Sequence, residues 1–173
     1  KFKEKEGKMF QSGTYVVYGC KGVHKILGTT HLNLEGIPKD REYYVMQAVK
    51  KPAGAVYAPV EAGKTNMRSV MTREQAEIFL HTAEQIHALC CKTPKQREEN
   101  CREGIKSCSP NALLQVIKTV KERREERARQ GKKLTLLDLH FMEQAEDILY
   151  EELAISLSIS RVEVEEKIRA YAS

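Results

Sequence analysis

The sequence predicts a segregated α+β protein: a small antiparallel β-barrel of the SH3 or Tudor kind, followed by an all-α helical bundle. Two observations predict it. Up to Met71, short runs rich in Val, Ile, Thr and Tyr alternate with Gly and Pro turns, and no helical stripe lies between them. Past Met71 the apolar spacing changes to three and four, and pairs of the helix-capping type stand ahead of the stripes. Short strands in succession without intervening helices pair antiparallel and curl.

The first eight residues, KFKEKEGK, are charged and aperiodic and read as a disordered lead or a cloning remnant. Thr14–Gly19 (TYVVYG) and Val23–Leu27 are the first two strands, split by a Gly-bounded turn. Gly28–Lys39 reads as a loop. Glu42–Val49 (EYYVMQAV) and Gly54–Val60 (GAVYAPV) follow, joined by KKPAG, and Asn66–Met71 makes a fifth strand. Thr72 with Gln75 forms a capping box for a helix whose stripe is Ala76, Phe79, Leu80, Ala83, Ile86 and Leu89. Pro94 interrupts that stripe. A second helix spans about Lys95–Lys106, and Ser109-Pro110 opens a third that runs into KERREERARQGKK. Thr135 with Asp138 starts a fourth, and Ser160 with Glu163 a fifth that reaches about Ala172. The domains are therefore expected at 9–71 and 72–173, after the lead 1–8.

Charge is mild overall, +5, but segregated. Lys92–Lys133 holds 13 basic and 6 acidic residues; Leu134–Ser173 holds 3 basic and 9 acidic. The first segment is the nucleic-acid candidate: in its basic run Lys118, Lys121, Arg123, Arg124, Arg127, Arg129, Lys132 and Lys133, spacings of three and four put several, such as Lys118, Lys121, Arg124 and Arg127, on one helix face. Interleaved Glu122, Glu125 and Glu126 suit a solvated helix equally well. Phosphate contacts of this kind give affinity without sequence specificity.

Chemistry is sparse. No P-loop, G-x-S-x-G or G-x-G-x-x-G occurs, and no His has a nucleophile at informative spacing, so no catalytic residue, cofactor or small-molecule substrate is expected. Cys20, Cys90, Cys91, Cys101 and Cys108 are odd in number and lack paired zinc spacing. No metal is expected, and thiols without a secretory leader suggest the cytoplasm. No apolar run is long enough to span a bilayer, so no membrane is expected either. A redox or metal-sensing module on Cys90, Cys91, Cys101 and Cys108 is an alternative. Another is a stand-alone DNA-binding regulator using the helix-turn-helix-like corner of Leu153, Ala154, Ser158, Ile159, Val164 and Ile168. Glu163, Glu165 and Glu166 at the start of its would-be recognition helix oppose phosphate.

The collinear set MFQSGTYVVYGCKGVHKI, EYYVMQAV, VYAPVEAGKTNMRSV, NALLQVIKTVKERREE and KLTLLDLHFMEQAEDILYEELAISLSIS resembles CarD-type bacterial transcription regulators over about residues 9–172. The resemblance implies a non-enzymatic regulator whose barrel docks on the β1 lobe of the RNA polymerase β subunit. Its edge strand would be Ala55, Val56, Tyr57, Ala58 and Pro59, with Arg68 nearby, adding a partner strand through main-chain hydrogen bonds. Tyr57 falls where some relatives have Arg. The helical domain would modulate promoter open-complex stability through weak, sequence-independent DNA contacts from Lys92, Pro94, Lys95, Arg97, Lys118, Lys121, Arg124 and Arg127. Relatives wedge a Trp into the minor groove; this chain has none, and the position falls at or beside Pro94. Gln96, Glu99, Leu139 and His140 stand where relatives carry basic residues.

Overall fold

The computed structural model describes residues 10–33, 39–50, 52–61 and 66–171; the charged lead at 1–8 lies outside the described residues. The chain divides into two compact units, Lys1–Val70 and Met71–Ser173.

The first unit is a five-stranded antiparallel sheet: β1 (Tyr15–Tyr18), β2 (Val23–His31), β3 (Glu42–Ala48), β4 (Ala55–Pro59) and β5 (Met67–Ser69), in the order β4-β3-β2-β1-β5. Closing a barrel requires a ladder between the outermost strands. Among the described residues none joins β4 to β5, so the expected barrel is here an open sheet. Apolar residues at alternate positions supply its core: Val16, Ile26, Tyr44, Met46 and Ala58 are buried, with Phe10, Tyr18, Val56 and Met67 packed against them. The Tyr44 hydroxyl accepts the Phe10 N–H at 3.0 Å, which satisfies the polar end of a buried ring. His24 is also buried; its Nδ1 lies 3.0 Å from the Gly22 carbonyl, and desolvation holds its pKa below the ordinary imidazole value.

Gly28–His31 is strand rather than part of the expected loop, of which residues 34–38 lie outside the described residues. Ile26 pairs with Met46 but Gly28 with Val45, so Leu27 is an extra residue in a β-bulge. Beyond it Thr29, Thr30 and His31 resume the ladder against Tyr44, Tyr43 and Glu42.

The second unit holds α1 (Arg73–Thr82), α2 (Pro94–Ser107), α3 (Pro110–Arg129), α4 (Leu136–Leu157) and α5 (Arg161–Tyr171). Its caps follow from side-chain chemistry. Thr72 and Gln75 form the reciprocal box at α1, Thr93 accepts from Gln96 N–H at α2, Thr135 from Asp138 N–H at α4, and Ser160 exchanges bonds with Glu163 at α5. α3 packs on α4, burying Leu113, Leu114, Ile117 and Val120 with Phe141, Ala145, Ile148, Leu149 and Leu153. Each of these side chains larger than alanine contributes about 1.5–3 kcal/mol when removed from water. At the α2–α3 crossing, a Cβ on Gly104 would stand 2.9 Å from Val116 Cγ2, so only glycine permits this approach.

α1 is shorter than its stripe suggests. It stops at Thr82, turns through a 3-10 segment at Ala83–Gln85, and the backbone is irregular until α2. The reason is tertiary. Lys118 Nζ donates to the Ala83 carbonyl at 2.9 Å, and Leu89 N–H donates to Thr119 Oγ1 at 2.8 Å. Both bonds come from α3 and take the place of helix propagation. The start of α1 is clamped to α4: Met71 N–H donates to the fully buried Glu152 carboxylate at 2.9 Å, and Arg73 donates to the Leu157 carbonyl at 2.6 Å.

Candidate functional site

Two surfaces, one on each unit, contain the residues singled out from the sequence. On the sheet, β4 is bonded to β3 on one side, and among the described residues no strand lies on its other side. The pairing fixes which backbone groups face outward. Val60 N–H donates to the Glu42 carbonyl at 3.0 Å, and Tyr44 stands opposite Ala58 and Met46 opposite Val56. In an antiparallel ladder bonded and non-bonded pairs alternate. Residues 56, 58 and 60 therefore turn their N–H and C=O groups toward β3, while Ala55, Tyr57 and Pro59 turn theirs away.

The outer border thus offers two N–H donors, from Ala55 and Tyr57, and three carbonyl acceptors; Pro59 has no N–H to give. Side chains alternate in the same register. Ala58 is buried in the core and Val56 packs on it, whereas Tyr57 is 46 % exposed. Arg68 sits on β5, at the opposite border of the sheet, where its Nη1 donates to the Ser69 carbonyl at 3.2 Å. The order of strands does not bring it to β4.

On the helical unit the basic residues fall into two groups. Lys92, Pro94 and Arg97 line an open groove of about 560 Å³ together with Arg123 and Arg129 of α3. Lys92, Pro94 and Lys95 are exposed at the start of α2. Arg97 is not a free cation: its guanidinium lies 3.5 Å from Asp138, with Arg123 Nε 4.0 Å from the same carboxylate. Asp138 is buried and also accepts the Thr135 hydroxyl at 2.7 Å, so one carboxylate ties α2, α3 and the cap of α4 together.

The second group lies along α3. Lys118 is held by the Ala83 carbonyl, and desolvation lowers its pKa. Lys121 is half-buried, Arg124 is exposed with Nη2 3.5 Å from Met142 Sδ, and Arg127 Nε donates to the Lys133 carbonyl at 2.5 Å. Fixed donors at Arg97, Lys118 and Arg127 shape the surface, while Lys92, Lys95 and Arg124 offer charge to solvent.

Arg123 and Arg129 of the groove belong to the basic run of α3 that the sequence marks, but they lie on its Leu89–Pro94 side. The signal for them is the row Thr119, Glu122, Arg123, Glu126 and Arg129, whose spacing places one face of α3 along Leu89–Pro94. Asp138 is legible as a cap partner but not as an ion-pair anchor.

Of the five thiols, Cys20 and Cys90 are exposed and Cys91 is partly so. Cys101 and Cys108 are buried, and desolvation raises the Cys101 pKa to about 11, leaving it protonated near neutrality. Among the described residues no group of three or more His, Cys, Asp or Glu could hold a metal ion, and no helix is long and apolar enough to cross a membrane. The corner between α4 and α5 buries Val164 and Ile168, and its Glu163 is engaged in the Ser160 cap.

Residues 10–71 match the family model described as the CarD-like/TRCF RID domain. A comparison with curated proteins yields no match.

Proposed function

Because residues 10–71 form a CarD-like/TRCF RID domain, an RNA polymerase-interacting module, we propose that this chain is a transcription regulator that adds a strand of the polymerase β subunit, from its β1 lobe, to the free border of β4. One observation carries the reading: the backbone groups of Ala55, Tyr57 and Pro59 face away from β3 with no strand beside them among the described residues. Main-chain hydrogen bonds would supply the affinity, and the exposed Tyr57 ring, on the face away from the core, would supply apolar contact. The helical unit then touches promoter DNA through Lys92, Lys95 and Arg124, with Pro94 at the mouth of the groove, and so alters the lifetime of the open complex. Arg97, Lys118, Lys121 and Arg127 support that surface from within the fold.

The test is a pull-down of the isolated β1 lobe by the full chain. The wild type retains the lobe, and Tyr57→Glu, which places a charge on the contact face of an exposed position, loses at least tenfold in retention. Equal retention by both would remove β4 from the interface.

A further inference from the structure

Two thiols of the helical unit take no part in the reading above, and their surroundings set them apart from the others. Cys91 stands half-buried in the irregular segment before α2 and lines the open groove together with Arg97. Asn100 Nδ2 donates to its Sγ at 3.5 Å. Arg97, Asn100 and Cys101, at spacings of three and four on α2, are neighbours on its surface and frame a hole for an incoming side chain. Cys91 is bonded to one corner of that hole and shares the groove wall with a second. The third corner is Cys101, 1 % exposed. Burial pushes the Cys101 thiol up, and the next influence on it is the Cys91 sulfur, ahead of Arg97 one turn away on the same helix and ahead of Asp138. Coulomb interaction weakens with distance, so the two sulfurs are near neighbours.

The backbone holds Cys91 in place from both sides. Leu89 N–H is bonded to Thr119, Lys92 N–H donates to Gln96 Oε1 at 2.9 Å, and Thr93 accepts the Gln96 N–H at 3.1 Å. The remaining thiols are placed elsewhere. Cys90 is exposed, Cys20 belongs to the first unit, and Cys108 caps the far end of α2 with its Sγ on the Ile105 carbonyl at 3.2 Å. A disulfide needs its sulfurs about 2.05 Å apart. That shift falls on the irregular backbone at Cys91, while Cys101 stays in its helix.

We infer that Cys91 is a site of oxidation by hydroperoxide and that Cys101 closes it into a disulfide, a reversible staple between the groove segment and α2. In the first step the Cys91 sulfur attacks one oxygen of hydrogen peroxide. The O–O bond breaks, Cys91 becomes a sulfenic acid, and one water leaves. In the second step the Cys101 sulfur attacks the Cys91 sulfur. The S–O bond breaks, the S–S bond forms, and the Cys101 proton leaves with the departing hydroxide as a second water. Two thiols thereby lose two electrons and two protons, and one peroxide becomes two waters. Burial shields Cys101 from the oxidant and keeps it protonated, so Cys91 is the point of entry and ring closure is the slow step. A dithiol reductant reopens the bridge by exchange.

Treating the full chain with one equivalent of hydrogen peroxide, then counting thiols in denaturant and weighing the product, tests this. The five thiols should fall to three, with a mass loss of about 2 Da for two hydrogens. The double variant C20S/C90S, changed only at exposed positions, should still lose two thiols. Cys91→Ser should lose none as a bridge, and circular dichroism verifies that both variants remain folded. Hydrogen exchange reads the staple itself. The Leu89 and Lys92 amides should exchange roughly tenfold more slowly in the oxidised chain and recover with dithiothreitol. An unchanged thiol count, a bridge that survives C91S or a sulfinic acid at Cys91 in place of the bridge each overturn the inference. So does a Cys91–Cys101 bridge that leaves both amides exchanging as before, since it would staple nothing.

Discussion

Asp138 does more than its place in a helix cap requires. Thr135 with a carboxylate three residues on marks a helix start, and that much is legible in the sequence. Its burial and its pairing with Arg97 and Arg123 are not, because they depend on three helices converging. Removing one member of a buried ion cluster strands the others, at about 3–5 kcal/mol. The two arginines keep some water contact, with side chains 18 % and 23 % exposed, so a smaller cost follows. Asp138→Ala is expected to lower the unfolding free energy by about 2–3 kcal/mol in urea denaturation. A change of about 1 kcal/mol or less would show that the carboxylate does no more than a cap.

At the scale of elements, the ladder between β3 and β4 separates two kinds of backbone position. The Val56 N–H lies in the ladder, whereas that of Ala55 points outward. Proline is tolerated on an edge strand only where its missing donor faces outward. Ala55→Pro should therefore leave the thermal midpoint nearly unchanged and weaken binding to the β1 lobe, and Val56→Pro, which removes a ladder bond, should destabilise the fold by about 1–3 kcal/mol. Calorimetry beside the same pull-down reads both; a destabilised Ala55→Pro protein would show the register to be wrong. The strands themselves were readable from alternation and turn residues, and the helix starts from Thr72, Ser109, Thr135 and Ser160. Two errors of extent have one kind of cause. The bulge at Leu27 carries β2 past Gly28, and bonds from Lys118 and Thr119 stop α1 before Ile86 and Leu89. Each is decided by a partner far away in sequence, which local pattern does not contain.

For the molecule as a whole, charge was the most visible feature and the least specific. The basic segment read as a single stripe, but the structure divides it into cations held by the fold and cations facing solvent. Only the second kind releases counterions on meeting a phosphate backbone. Replacing Lys92 and Lys95 by Ala should lower duplex affinity to a similar degree across sequences and reduce the slope of log affinity against log salt by about one per residue. Fluorescence anisotropy at several salt concentrations measures this, and an unaltered slope would move DNA contact elsewhere. The sheet's outer border bears on the chain's behaviour in a crowded solution. Two donors followed by a proline make a short, blunt template: a passing strand gains a few bonds and then meets a ring with nothing to donate. Strand-by-strand growth at this border, a step toward fibrils, is thereby starved of length, while a partner shaped to this brief stretch still finds its place.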